Sequence, residues 1–174
     1  VVRSRGLGDV YKRQAFGDRY NRGLLKGLPN DDTSADMYDL TLSLCEDRGL
    51  VSYEVSNYAH QGYESIHNLI YWRYGDYIGI GPGAHGRLTI DGKKYATETV
   101  LSPEAWLTKV ECDGSGESNS VELTDQQQAA EFVMMGLRLK EGINYQRFKN
   151  LSGSAFSKTK LNFLKDLNLS LIHI

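Results

Sequence analysis

The chain has 174 residues, 40% hydrophobic, 10% aromatic and 24% charged, a composition of one globular domain, or one and a small second, and not of a disordered or fibrous protein. Lys and Arg total 20 against 22 Asp and Glu, so no strongly basic field exists to hold a polyphosphate backbone, which argues against nucleic acid as a partner. Cys45 and Cys112 form no CxxC pair, which argues against a disulfide framework, a zinc knuckle or a self-contained iron–sulfur site. No apolar run reaches the ~20 residues that span a bilayer, and the expected setting is cytoplasmic.

The segments 1–14 and 169–174 share no periodicity with their neighbours and resemble translated sequencing-adapter sequence, so both are set aside, His173 with them. The natural protein is expected to continue beyond residues 15–168. Thr33 followed by Asp36 is a capping-box-like start, and the apolar spacing after it predicts a helix over 35–48 that Gly49 ends. Residues 50–57 alternate as a strand with Val51, Tyr53 and Val55 on one side, and helix, glycine and strand together read as half of a βαβ unit. A second strand is expected over 77–81, closed by Gly81-Pro82-Gly83. Asp91-Gly92 marks a hairpin between 87–90 and 93–97. Ser102-Pro103-Glu104 opens a helix over 103–111, and the polar stretch 112–122 reads as a flexible loop. Thr124 caps a helix ending near Gly142 whose Ala129, Ala130, Val133, Met134 and Leu137 share a face; weaker helices follow over 145–151 and 155–167. The fold class is thus α/β up to about residue 100 and helical after it.

The densest chemistry lies in residues 58–77, where Tyr58, Tyr63, Tyr71, Trp72, Tyr74 and Tyr77 crowd around His67 and Asn68. Such rings suit half-buried strands, but beside one imidazole they also make a wall for a planar apolar ligand, with neutral His67 offering a lone pair to a metal at its centre. Asn68 is then placed to fix the imidazole tautomer. His85 follows the Gly81-Pro82-Gly83 turn at the carboxyl end of a strand, where ligands sit in parallel α/β folds. His60 stands in a polar stretch and is expected to be solvated. Glu54 is either a solvent-facing edge residue or a buried carboxylate with a partner. No nucleophile elbow, phosphate loop with a lysine or zinc-protease helix is present, so no catalytic residue is singled out.

The strings Tyr53-Glu54-Val55-Ser56-Asn57-Tyr58-Ala59, His67-Asn68-Leu69-Ile70-Tyr71-Trp72 and Tyr77-Ile78-Gly79-Ile80-Gly81-Pro82-Gly83-Ala84-His85-Gly86 resemble the HemW family of radical-SAM heme chaperones, relatives of the oxygen-independent coproporphyrinogen III oxidases. The likeness runs on through Leu123-Thr124, Glu131, Gly136-Leu137-Arg138-Leu139 and Gly142-Ile143. The HNxxYW element is the one that separates the chaperone branch from the oxidase branch.

The resemblance implies the C-terminal part of a radical-SAM partial (βα)6 TIM-type barrel over 15–101, then a small helical HemN C-terminal-like domain over 102–168. It implies heme bound by His67 as iron ligand, with Asn68, Tyr71 and Trp72 in support, and His85 near the adenine of S-adenosylmethionine. The [4Fe–4S] cluster of the family is held by a CxxxCxxC loop this chain lacks; Cys45 and Cys112 match no part of it. The implied activity is delivery of heme to acceptor proteins, with membrane association through those partners and a homodimer as further expectations. The alternative is oxidation of coproporphyrinogen III in porphyrin biosynthesis. A half barrel leaves strand edges uncovered, so the chain alone is expected to be marginally stable.

Overall fold

The computed structural model describes residues 18–19, 21–24, 27–157, 159, 162 and 171–172. They fall into two compact units, one made of residues up to Ser52 with Ser56–Tyr63, the other of Tyr53–Val55 with the chain from Glu64 onward.

In the first unit, helix α1 spans Asp31–Glu46. It starts before the expected residue 35 because its cap is Asn30, whose side-chain oxygen accepts the Thr33 amide at 2.8 Å; Thr33 serves through its backbone, not its hydroxyl. Asp31 and Asp32 in the first turn suit the positive end of the helix dipole. Gly49 ends the helix region at φ 71°, a left-handed geometry that glycine adopts without strain. His60, exposed as expected, still uses one ring nitrogen, Nδ1, 2.9 Å from the Gly49 carbonyl oxygen.

The expected strand over 50–57 is two strands, β1 (Val51–Glu54) and β2 (Asn57–Ala59), turned at Val55 and Ser56 into a two-stranded sheet. The alternation itself is as expected, and the structure decides which side is covered. Val51 and Val55 are exposed, whereas Ser52 and Glu54 are buried. Alternation fixes which residues share a side but not which side is covered, and a one-residue difference exchanges the two.

The second unit holds the rest. Glu54 bridges Leu139 in antiparallel fashion, with the Val55 amide donating to the Arg138 carbonyl and the Lys140 amide to that of Tyr53. Helix α2 spans Ile66–Trp72, capped by the Ser65 side chain. Strands β3 (His85–Ile90), β4 (Lys93–Thr99) and β5 (Glu117–Glu122) form an antiparallel sheet in that order. The hairpin turn is as expected, with positive φ at both Asp91 (50°) and Gly92 (78°). Residues 77–81 are not a strand: only Tyr77 joins, as a single bridge to Arg87. The loop expected over 112–122 is replaced in its second half by β5. All six of its side chains are exposed, so the strand rests on backbone pairing with β4 and carries no apolar alternation to betray it.

Helix α3 spans Pro103–Asp113 behind the Ser102 cap and ends at Gly114 in the left-handed conformation. Helix α4 spans Asp125–Gly136 with a complete capping box between Thr124 and Gln127, and stops short of the expected Gly142. Its buried face is Ala129, Phe132 and Gly136, while Ala130 and Met134 are exposed. Gly136 explains the rotation, since a Cβ there would lie 3.2 Å from Ile143 Cγ1. Strand β6 (Ile143–Asn144) leads into helix α5 (Tyr145–Ser152) and pairs in parallel with β7 (Leu171–Ile172), so the portion after residue 100 is mixed and not all helical. Most of the helix expected over 155–167 lies outside the described residues, as does the segment 1–14. The core is Tyr74, Phe132 and Ile143, with Val133, Leu137, Phe148 and Leu151 packed around it.

Ile143→Ala is expected to lower the unfolding free energy by roughly 2–4 kcal/mol, because a side chain 1% exposed leaves a cavity, while Ile80→Ala, 83% exposed, stays within about 0.5 kcal/mol. Urea midpoints of the two variants measured side by side make the comparison.

Candidate functional site

The site is built on α2, whose direction is set where it ends. Arg73 follows the helix and Tyr74 turns the chain back with φ 54°. The turn is held by Arg147, which donates to the carbonyl oxygens of Arg73 (2.5 Å) and Tyr74 (2.9 Å). Lys94, itself buried, places its ammonium 4.3 Å from the Tyr74 ring centroid and 2.8 Å from Asp76 Oδ1.

His67 lies on the exposed side of α2. Among the described residues no hydrogen bond uses either of its ring nitrogens, and its contact is with the ring of Tyr71, one helical turn on, 4.8 Å between centroids at 84°. Tyr71 in turn meets Tyr77 edge-on at 4.4 Å. Ile66 and Ile70 flank the imidazole on the same helix and are both exposed. A neutral imidazole with its one lone pair unengaged beside exposed aliphatic side chains is suited to a ligand that is apolar and carries a metal.

Asn68 does not reach His67. Consecutive residues on a helix point about 100° apart, and the Asn68 amide donates instead to the Tyr53 hydroxyl at 3.2 Å. Trp72 lies under the Arg138 guanidinium, 4.3 Å from the ring centroid, and its indole N–H is buried without a hydrogen-bond partner among the described residues. Arg138 also donates to Glu54 at 3.2 Å, and the Glu54 carboxylate is fully buried. Of the two readings of Glu54, the buried and paired one holds. The six rings thus divide: Tyr71, Tyr77 and Trp72 serve α2, Tyr74 enters the core, and Tyr58 and Tyr63 belong to the other unit.

Tyr77 is tied to Arg87 by two backbone hydrogen bonds of 2.8 and 2.9 Å. The Arg87 side chain makes a two-pronged ion pair with Glu131 of α4, at 2.7 and 3.0 Å. Burial pushes the Glu131 carboxyl upward, but the hydrogen bonds and charge of Arg87 outweigh it and hold the carboxyl below its ordinary 4.5. Asp76 behaves alike: burial opposes its charge, and the Lys94 and Thr89 hydrogen bonds prevail. The Tyr74 and Tyr77 hydroxyls are both pushed upward, chiefly by burial. Glu131 adds to this at Tyr74 through its charge, although the Tyr74 hydroxyl has no well-formed hydrogen bond.

His85 is exposed at the start of β3, with Nδ1 3.7 Å from Glu98 Oε1, beyond hydrogen-bond reach. The preceding turn has the expected positive φ at Gly81 and Gly83, and Thr99 pins it by donating to the Gly81 carbonyl. Beside it Ile78, Ile80, Leu88, Trp106 and Val110 line an open groove of about 310 Å³ that includes none of the expected heme or cofactor residues. Sequence reasoning missed this groove because the helix over 103–111 was read from its cap alone, and the groove's lining comes from segments far apart in sequence. It missed the structural part of Arg138 because nothing local pairs it with a carboxylate 84 residues away. Cys45 and Cys112 are free thiols, and no group of three metal-ligating side chains occurs among the described residues, so they do not fit an iron–sulfur cluster. No helix among the described residues is long and apolar enough to cross a membrane.

Residues 123–169 match the HemN C-terminal domain family. The chain is 35% identical over 165 residues to the heme chaperone HemW of Bacillus subtilis, covering 94% of this chain and 42% of that protein. It is 40% identical over 115 residues to HemW of Escherichia coli (66% and 29%) and 38% identical over 132 residues to the mitochondrial radical S-adenosyl methionine domain-containing protein 1 of Danio rerio (74% and 30%). It therefore spans about a third of the length of such relatives. Among solved structures it is similar to coproporphyrinogen III oxidase (HemN) from Escherichia coli, a radical SAM enzyme, with a TM-score of 0.59 at 15% identity over 86% of this chain and 37% of that one, a likeness of fold.

The depressed Glu131 and Asp76 carboxyls stabilise the fold fully above their ordinary values of 4.5 and 3.8, and this stability is lost as pH falls through their lower folded values. Glu131→Gln is expected to lower the urea midpoint at pH 7 and to make its fall between about pH 5 and pH 3 shallower than in the parent chain.

Proposed function

Because the chain is a HemW-like part of a radical-SAM protein, we propose that it carries the heme-docking helix of a heme chaperone, with His67 as axial ligand to the iron. The observation that supports this is the exposed imidazole of His67, hydrogen-bonded to nothing among the described residues and braced by Tyr71. Ile66 and Ile70 supply apolar area for the porphyrin face, at about 25 cal/mol per Å² covered. In this reading Trp72 and Asn68 act from behind α2, Trp72 through Arg138 and Asn68 through Tyr53, and fix the helix more than they touch the cargo.

The remaining parts of the proposal rest on family likeness. Residues 15–101 form the closing part of a partial (βα)6 barrel and 102–168 a HemN C-terminal-like domain. The [4Fe–4S] cluster and S-adenosylmethionine belong to an upstream region, since this chain's cysteines do not fit the cluster, and His85 packs near the adenine. The cargo passes to heme-accepting proteins in the cytoplasm or at a membrane where those partners reside, and the chaperone works as a homodimer. The fold likeness to a coproporphyrinogen III oxidase carries no reaction with it at 15% identity.

Titration with heme, followed by the Soret band, tests the ligand. The parent chain and His85→Ala are expected to give the same shifted band, and His67→Ala to lose the shift and bind at least about tenfold more weakly, a difference of roughly 1.4 kcal/mol. A His67→Ala titration that overlays the parent curve removes His67 from the iron.

A further inference from the structure

We propose that Tyr77 is a positioning residue for heme capture, acting through Tyr71 to hold the His67 imidazole in its ligating orientation. The inference rests on the heme-docking reading and adds a residue to it.

The three rings form a continuous series, His67 to Tyr71 at 4.8 Å and Tyr71 to Tyr77 at 4.4 Å, each contact edge-on. An exposed imidazole on a seven-residue helix has no hydrogen bond of its own among the described residues to choose its rotamer, so the edge of Tyr71 is what selects it. Tyr71 is only half-buried and needs a wall behind it. Tyr77 supplies that wall from a different element, with its backbone locked to Arg87 by paired hydrogen bonds and Arg87 locked to Glu131 of α4. Support therefore runs from α4 through the edge of the sheet to the iron-facing ring.

Tyr77 is separate from the packing of the core. That part is taken by Tyr74, which meets Phe132 within the buried cluster, while Tyr77 lies outside it. The Tyr77 phenol is pushed upward from its ordinary value of 10, chiefly by burial, so the ring stays neutral across the working pH range. The contact with Tyr71 is made by the ring, and the hydroxyl is dispensable for it.

The test compares Tyr77→Phe and Tyr77→Leu in the whole chain by two measurements, the His67 Cε1–H NMR resonance without heme and the heme affinity from the Soret titration. Tyr77→Phe is expected to leave both unchanged. Tyr77→Leu is expected to move the resonance and to weaken binding roughly two- to tenfold, the cost of ordering one released side chain on binding. The proposal is overturned if Tyr77→Leu leaves both at parent values, or if Tyr77→Phe alters them as Tyr77→Leu does. Should Tyr77→Leu fail to fold, Tyr77→Met takes its place with the same two changes expected, and parent values in both measurements overturn the proposal. A parent chain that takes up no heme sinks the docking reading instead, and the heme-free resonance then judges the ring series by itself.

Discussion

The carbonyl oxygen of Tyr74 is the point on which the second unit turns. A bulky residue at φ 54° sits in a sparsely populated backbone region, at a cost of about 1–3 kcal/mol. Three things offset it: the buried ring against Phe132, the Lys94 ammonium over that ring, and the Arg147 guanidinium spanning two successive carbonyls at the end of α2. The reversal sends the chain from the end of α2 back past the helix, which is how Tyr77 comes to lie against Tyr71 only six residues earlier.

Around that turn, charge holds elements together. Lys94 is nearly buried and balanced by Asp76, Glu54 is fully buried and balanced by Arg138, and Arg87 and Glu131 are mostly covered and matched in two-pronged fashion. Buried ion pairs of this kind add little net stability over apolar packing but tolerate few alternative arrangements. The exposed imidazole of His67 stands apart from all of them, since no neighbouring carboxylate engages it among the described residues.

Local chemistry made several elements legible. Ser102-Pro103, Thr124 and Asp91-Gly92 state helix starts and a turn locally, and the structure has them there. What depended on distant partners was not legible. Strand β5 has no apolar pattern and exists because β4 offers it a ladder, and α2 was hidden inside a run of aromatics that suits strands equally well. Alternation left open which side of β1 is covered, and it is the distant Arg138, paired with the buried Glu54, that marks it. For the site, the residue types around His67 suited half-buried strands as well as a wall for a planar ligand, and it was the likeness of His67-Asn68-Leu69-Ile70-Tyr71-Trp72 to a known family that pointed to heme. The hydrogen bond from Asn68 to Tyr53 shows that neighbours in sequence need not work on the same ring.

The pairing of Tyr53–Val55 with residues 138–140 also bears on how the chain is made. Glu54 and Arg138 are 84 positions apart, so at about 5–20 residues per second a ribosome takes roughly 4–17 s to deliver the second after the first. Through that interval a strand carrying a carboxylate destined for the interior remains hydrated and waits.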